Sequence, residues 1–307
     1  GCTSNCIRED KVCGDGIVEC GEFCDSGSLA LLAPPAFGGC DTSCHWGPVE
    51  SCGPGPFVIP SSELEAALRE ALGIDEQTPW IHDSQELPEL GNLRYLDLSG
   101  KGISDLSGLE CFNHLQTLIL DENSITNISP LAGLRELEVL FVNENQIQDI
   151  SPLQNLTRLE NLRLGGNEIQ DLSPLSGLPF LKELDLRDNR VQELDSLSDL
   201  IALDYLDVSQ NEIGQVGGLA GLVGLVYLDI SNNNIQYIWA LASLTSLEEF
   251  YAGNNQIGNL LGISSMSQLK HLGLEENNIV FLDELSSLEE LRVLDLNSNS
   301  ISSLSPS

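Results

Sequence analysis

One leucine returns every twenty-two residues without insertion or deletion, at Leu93, Leu115, Leu137, Leu159, Leu181, Leu203, Leu225, Leu247, Leu269 and Leu291. Eight residues after it, a polar slot holds Asn123, Asn145, Asn167, Asn189, Asn211, Asn233, Asn255, Asn277 and Asn299; only the first unit departs, with Lys101. Inside each unit the apolar spacing changes partway. Leu159, Leu162 and Leu164 end in an alternation by two, the chain pauses over Gly-Gly-Asn-Glu, and Ile169, Leu172, Leu175 and Leu178 then return every third residue. An amphipathic helix steps by three and four, and a half-buried strand steps by two throughout. Neither element fits, so the unit contains both a strand and a turn, and it buries its leucines only by stacking on its own copies.

The pattern L-x-x-L-x-L-x-x-N-x-I at a period in the twenties is the leucine-rich repeat signature. The expected fold is α/β and β-rich, a right-handed solenoid of ten twenty-two-residue coils. The alternating part forms a short strand with one buried face. The asparagine amide, both donor and acceptor, bonds backbone groups of adjacent coils that would otherwise be buried and unpaired. We therefore expect the nine asparagines to form a structural ladder. The three-residue spacing in Asp171-Leu172-Ser173-Pro174-Leu175 suits a 3₁₀ turn, with Ser173 reading as the cap and Pro174 as the first helical position. Ten strands at ~4.8 Å spacing give a parallel sheet about 43 Å long, with an arc-shaped solenoid behind it.

Eight of the nine cysteines lie within the first 52 residues: Cys2, Cys6, Cys13, Cys20, Cys24, Cys40, Cys44 and Cys52. That segment has few large apolar residues, so dense cysteine there reads as a disulfide framework made in an oxidising compartment. Cys20-x₃-Cys24 and Cys40-x₃-Cys44 also have the look of paired zinc ligands. Zinc usually goes with a reducing compartment, and it would leave four cysteines unexplained. Asp15, Glu22, Asp25 and Asp41 are candidate ligands for a calcium ion, which takes carboxylate oxygens; Asp and Gly are also ordinary turn residues. No cofactor is required by any motif. Gly1-Cys2 matches the end of a lipoprotein cleavage site, so Cys2 carries either a lipid or a disulfide. A lipid there would leave seven thiols in the segment, an odd number.

The string Cys13-Gly-Asp-Gly-Ile-Val-Glu-Cys-Gly-Glu-Phe-Cys-Asp, with Gly39-Cys40-Asp-Thr-Ser-Cys44, resembles the myxobacterial cysteine-rich repeat. It departs from that family in the extra Cys20 and in the apolar loop from Ser28 to Phe37. The resemblance implies a secreted or surface location. Gly53-Pro-Gly-Pro56 reads as a linker. Ser61 to Leu72 then reads as a helix with a serine cap, acids in its first turn, apolar residues at 64, 67, 68, 71 and 72, and Gly73 at its end. Its apolar stripe would cover the open end of the first coil. Phe57 to Gly73, together with Gly102-Ile-Ser-Asp-Leu-Ser-Gly-Leu-Glu, resembles the cap and first coil of internalin-like leucine-rich repeat proteins, a likeness that extends over residues 57–304. Cys111 sits where such proteins often carry an aromatic, and we expect it to be a buried, unpaired thiol. The expected division is a cysteine-rich module over 1–54, a linker and helical cap over 55–90, and the solenoid over 91–307.

A formal charge of -34, from 47 acidic and 13 basic residues, repels phosphates and argues against a nucleic-acid partner. No apolar run reaches the ~18 residues of a membrane span, so no transmembrane segment is expected. The charge favours solubility, and it also favours a cation or a basic partner. His45, His82, His114 and His271 form no metal-ligand or triad spacing. No phosphate loop, nucleophile elbow or H-E-x-x-H is present, so no enzyme is expected.

The positions that repeat toward solvent point to binding. Two residues after the unit leucine come Tyr205, Tyr227 and His271, among others. Between the two strand leucines come Phe141, Arg163, Asp185, Asp207, Asp229 and Tyr251. Strand alternation turns both columns to the concave face. Exposed aromatics beside charges are anchors for a macromolecular ligand, a protein before any other class, in the general sense that such anchors dominate interfaces; the bland alternative is that tyrosine suits strands. Internalin-like relatives imply attachment to other proteins through that face, from an extracellular or cell-surface location; a lipid on Cys2, the alternative to its disulfide, would anchor the chain to a bacterial outer membrane. The alternative is a structural extracellular scaffold that uses its coil ends. No covering element follows Leu304 before Ser307, so self-association through the edge near Val293 to Leu296 is expected.

Overall fold

The structure, a computed structural model, describes residues 59–75 and 93–302. The eight cysteines from Cys2 to Cys52, the candidate calcium ligands Asp15, Glu22, Asp25 and Asp41, and the candidate lipid site Cys2 lie outside the described residues.

Ten three-residue strands form one parallel sheet in strict chain order. They are β1 (Tyr95–Asp97), β2 (Thr117–Ile119), β3 (Val139–Phe141), β4 (Asn161–Arg163), β5 (Glu183–Asp185), β6 (Tyr205–Asp207), β7 (Tyr227–Asp229), β8 (Glu249–Tyr251), β9 (His271–Gly273) and β10 (Val293–Asp295). Equivalent residues face each other from coil to coil: Leu162 pairs with Leu184, Leu184 with Leu206, and Leu206 with Leu228. A twenty-two-residue period with no insertion leaves no other register open, because a slip of one residue would turn every strand leucine to solvent. The leucines and isoleucines of the first nine coils merge into one continuous core, in which Phe250 is the largest fully buried side chain, while in the last coil Leu291 and Leu296 pack partly buried against it and Leu294 is exposed. This is a leucine-rich repeat solenoid.

The asparagines join successive coils. Asn189 accepts from the Ile169 amide through Oδ1 at 2.9 Å. Its Nδ2 donates to the carbonyls of Leu164, Leu186 and Arg187 at 2.9, 3.1 and 3.2 Å. Asn123 does the same for the first coil, accepting from the amides of Lys101 and Ile103 at 3.1 and 2.9 Å. The residue before each ladder position adopts the left-handed conformation. Gly100 and Gly166 take it without strain, while Glu122, Glu144, Asp188, Gln210, Asn232, Asn254, Glu276 and Ser298 take it with φ between 52° and 56°.

The returning segments make 3₁₀ turns, as at Ser173–Leu175. Their caps differ from the sequence expectation. Ser173 does not cap the turn; Asp171 does, its carboxylate accepting from the Ser173 amide at 2.8 Å and the Ser173 hydroxyl at 2.9 Å. Aspartate reaches its own backbone two residues on more readily than serine can reach forward into so short a turn.

Helix α1 (Ser62–Leu72) starts at Ser61, whose hydroxyl accepts from the Leu64 amide at 3.1 Å, and ends at Gly73 with φ 65°. It buries Leu64, Ala67 and Leu68 in the same core as the first coil, whereas Ala71 is exposed. Lys101, the one departure from the asparagine ladder, has its ammonium 2.8 Å from the Glu70 carboxylate of α1. Cys111 is disulfide-bonded, so it is not the free thiol expected from its position in the repeat. It is the only cysteine among the described residues, and its partner lies outside them.

Candidate protein-binding face

The exposed face of the sheet gathers the two predicted columns. Tyr205 and Tyr227 stack with ring centroids 4.3 Å apart and planes 9° apart. Tyr251 lies 5.7 Å from Tyr227 and is tilted by 47°. Register explains both contacts. Tyr205 pairs with Tyr227 directly, whereas Tyr251 pairs with Asp229 in the neighbouring column and reaches Tyr227 diagonally. Tyr251 donates its hydroxyl hydrogen to Glu249 at 3.0 Å. Burial, together with nearby aspartates, pushes the phenols of Tyr205 and Tyr227 above their ordinary range.

Beside the rings, Asp185, Asp207 and Asp229 stand in register on β5, β6 and β7. The sequence places all three toward solvent, yet Asp185 and Asp207 are each only 5% exposed. Their carboxylates fold down onto the strand ends. Asp207 Oδ1 accepts from the Ser209 amide and hydroxyl at 2.9 and 2.6 Å, and Asp229 Oδ1 from those of Ser231 at 2.8 and 2.6 Å. Asp185 accepts from the Arg187 amide at 3.0 Å and lies 3.6 Å from its guanidinium. Burial raises the carboxyls of Asp185 and Asp229 above the usual aspartate value, and the Asp207 charge adds to both.

Toward β3 the face changes character. The Arg163 guanidinium sits 4.5 Å from the centre of the Phe141 ring and 3.8 Å from Glu183. At the other flank His271 lies 3.6 Å from Glu249. The structure thus brings Tyr205, Tyr227, Tyr251, Asp185, Asp207 and Asp229 together. Phe141 with Arg163, and His271 with Glu249, stand on either side. Among the described residues no group of three or more His, Cys, Asp or Glu side chains is arranged to hold a metal ion. No helix among them is long and apolar enough to cross a membrane.

A second exposed apolar set lies on the opposite side of the coils. Tyr237, Trp239, Leu261 and Phe281 are 51%, 61%, 57% and 63% exposed. Tyr237 and Phe281 occupy the slot that Asp171 fills in its coil, and Trp239 and Leu261 the slot of Ser173. The strand pattern does not point to them. Their signal is present all the same, as aromatic or aliphatic residues in a column otherwise polar.

The leucine-rich repeats (2 copies) family model matches residues 91–133, 113–155, 135–177 and 157–199. Among solved structures, an internalin (inlF) from Listeria monocytogenes is 34% identical with a TM-score of 0.78, covering 83% of this chain and 75% of that one. An internalin C2 from the same organism is 28% identical with a TM-score of 0.60, covering 78% of this chain and 94% of that one. A leucine-rich repeat protein of Leptospira interrogans is 28% identical with a TM-score of 0.65, covering 69% and 57% respectively. No match was found among curated protein sequences.

Proposed function

This chain belongs to the internalin-like leucine-rich repeat family, and from that premise we propose that it is a secreted or surface-exposed protein that binds another protein on the exposed face of its sheet. The repeat fold is typical of protein-binding proteins. The observation that carries the reading to this face is the Tyr205–Tyr227–Tyr251 cluster. Aromatic rings with a polar tip are the side chains that most often dominate interface energetics, and truncating such an anchor commonly costs about 2 kcal/mol or more. These three are held by parallel strands, so little side-chain freedom is lost when a partner covers them. Binding, not catalysis, is the role this arrangement suits: the face offers ring surfaces and carboxylates already engaged by backbone amides, with no nucleophile beside a base.

The test is capture of a partner from the surroundings of the source cells by the native chain and by Tyr227→Ala. The expected result is a protein retained by the native chain and lost from the variant. Equal retention would remove the face from the function. A scaffold that uses its coil ends would be indifferent to this substitution.

A further inference from the structure

We propose that the partner presents an arginine side chain to this face, with the guanidinium docking beside the Tyr205–Tyr227 stack against the half-buried carboxylate of Asp229, while the buried Asp207 adds its charge from below. The inference rests on the sheet-face reading above and narrows it to a cationic partner.

Three observations carry it. First, Asp185, Asp207 and Asp229 are direct neighbours on parallel strands, about 4.8 Å apart by strand spacing. Asp185 has Arg187 at 3.6 Å. Neither Asp207 nor Asp229 has an ion-pair partner among the described residues, and each commits only Oδ1 to its serine. The two Oδ2 atoms are left without a hydrogen bond in a strip of like charge.

Second, the same face already displays the arrangement in complete form. Arg163 lies over the Phe141 ring at 4.5 Å and reaches Glu183 at 3.8 Å. On β6, β7 and β8 the slot of Arg163 is filled by Asp207, Asp229 and Tyr251, so rings and carboxylates stand side by side with no cation among them. A cation bound there would come from another molecule. A planar guanidinium stacks on a ring and forks onto carboxylates, which an ammonium does less well.

Third, the neighbouring cations are engaged elsewhere. Lys270 lies 2.6 Å from Glu248, and Arg187 turns to Asp185. With a formal charge of -34 on the chain, the field over the face draws basic partners and repels acidic ones.

The experiment is calorimetric titration of the full chain with a short, otherwise neutral peptide carrying two arginines, and with its citrulline counterpart, a neutral isostere. The arginine peptide is expected to bind and the citrulline peptide to bind at least about tenfold more weakly. Asp207→Asn with Asp229→Asn should weaken the arginine peptide by about tenfold, since asparagine keeps the Oδ1 acceptor for Ser209 and Ser231 while removing the charge. Asp283→Asn with Glu284→Gln removes the same charge from an outer turn and should change binding by less than about twofold. Equal loss in both double variants, or equal binding of both peptides, would overturn the proposal, because attraction would then be diffuse. Thermal melting confirms that each variant is folded; if the double variant unfolds, Asp229→Asn alone is used with the same expectation of direction. The captured partner separates this proposal from the one it rests on. If Tyr227→Ala releases that partner and the Asp207, Asp229 pair does not, the face stands and the cationic contact falls; if neither releases it, the face falls too.

Discussion

Tyr205 and Tyr227 stack at 4.3 Å because they are register partners on adjacent parallel strands. The ring spacing is close to the strand spacing of ~4.8 Å, so the sheet itself sets the contact. A side-chain pair held in this way is already organised before any partner arrives. The face therefore depends on the register of the coils behind it.

Asn189→Ala should destabilise the solenoid by about 1–3 kcal/mol, because it strands buried carbonyls and the Ile169 amide. Asn299→Ala, at a half-buried end of the ladder, should cost less. Chemical denaturation measures both. Equal and negligible effects would mean that water replaces the ladder.

Gly166→Ala should cost about 1–2 kcal/mol, since Gly166 has φ 65° and a Cβ there would lie 2.6 Å from the Glu144 carboxylate. Gly214 has ordinary backbone geometry, and a methyl added there would meet nothing within 4 Å, so Gly214→Ala should be neutral or stabilise by up to about 1 kcal/mol. In paired melting curves only Gly166→Ala is expected to lower the midpoint. Equal destabilisation by both would show that the left-handed position is not the cause.

Stability should rise as pH falls from neutral toward about 4, the ordinary aspartate value. Burial raises the carboxyls of Asp185 and Asp229 in the folded state. A raised folded value contributes stability that is full below the unfolded value and is lost as pH rises through the folded value. Asp207 and Glu275 face Asp229 and act in the same sense. Asp149, held down by the Ser151 amide, acts oppositely and is exposed. Melting temperature against pH should therefore slope downward above about 4, and Asp185→Asn with Asp229→Asn should flatten it. An unchanged slope in the variant would assign the dependence to other carboxylates.

The peptide containing Cys111 should be recovered cross-linked from an unreduced digest. Labelling of Cys111 by an alkylating agent without reductant would contradict the disulfide.

The solenoid was legible in the sequence because its period admits one register, so every strand from Tyr95 to Asp295 could be placed by counting. What escaped were contacts that depend on more than the period. The Asp171 cap was hidden because serine and aspartate both favour turns, and only geometry shows which one closes this one. Asp185 and Asp207 read as solvent-facing because alternation gives direction and not coverage; both carboxylates turn onto the backbone amides two residues on and are buried. Cys111 occupies a position that a small apolar residue also suits, so its bond to a distant cysteine left no local signal. The left-handed slot was visible as Gly100 and Gly166, but its glutamates obscured it.

The most direct measurement is the affinity of the captured partner for the native chain, Tyr227→Ala and Trp239→Ala. Both substitutions remove one aromatic side chain, the first from the sheet face and the second from the exposed set on the outer turns. Loss of at least about tenfold with Tyr227→Ala and less than about twofold with Trp239→Ala is the predicted result. Loss with Trp239→Ala and none with Tyr227→Ala would contradict it, and would move the binding surface to Tyr237, Trp239, Leu261 and Phe281.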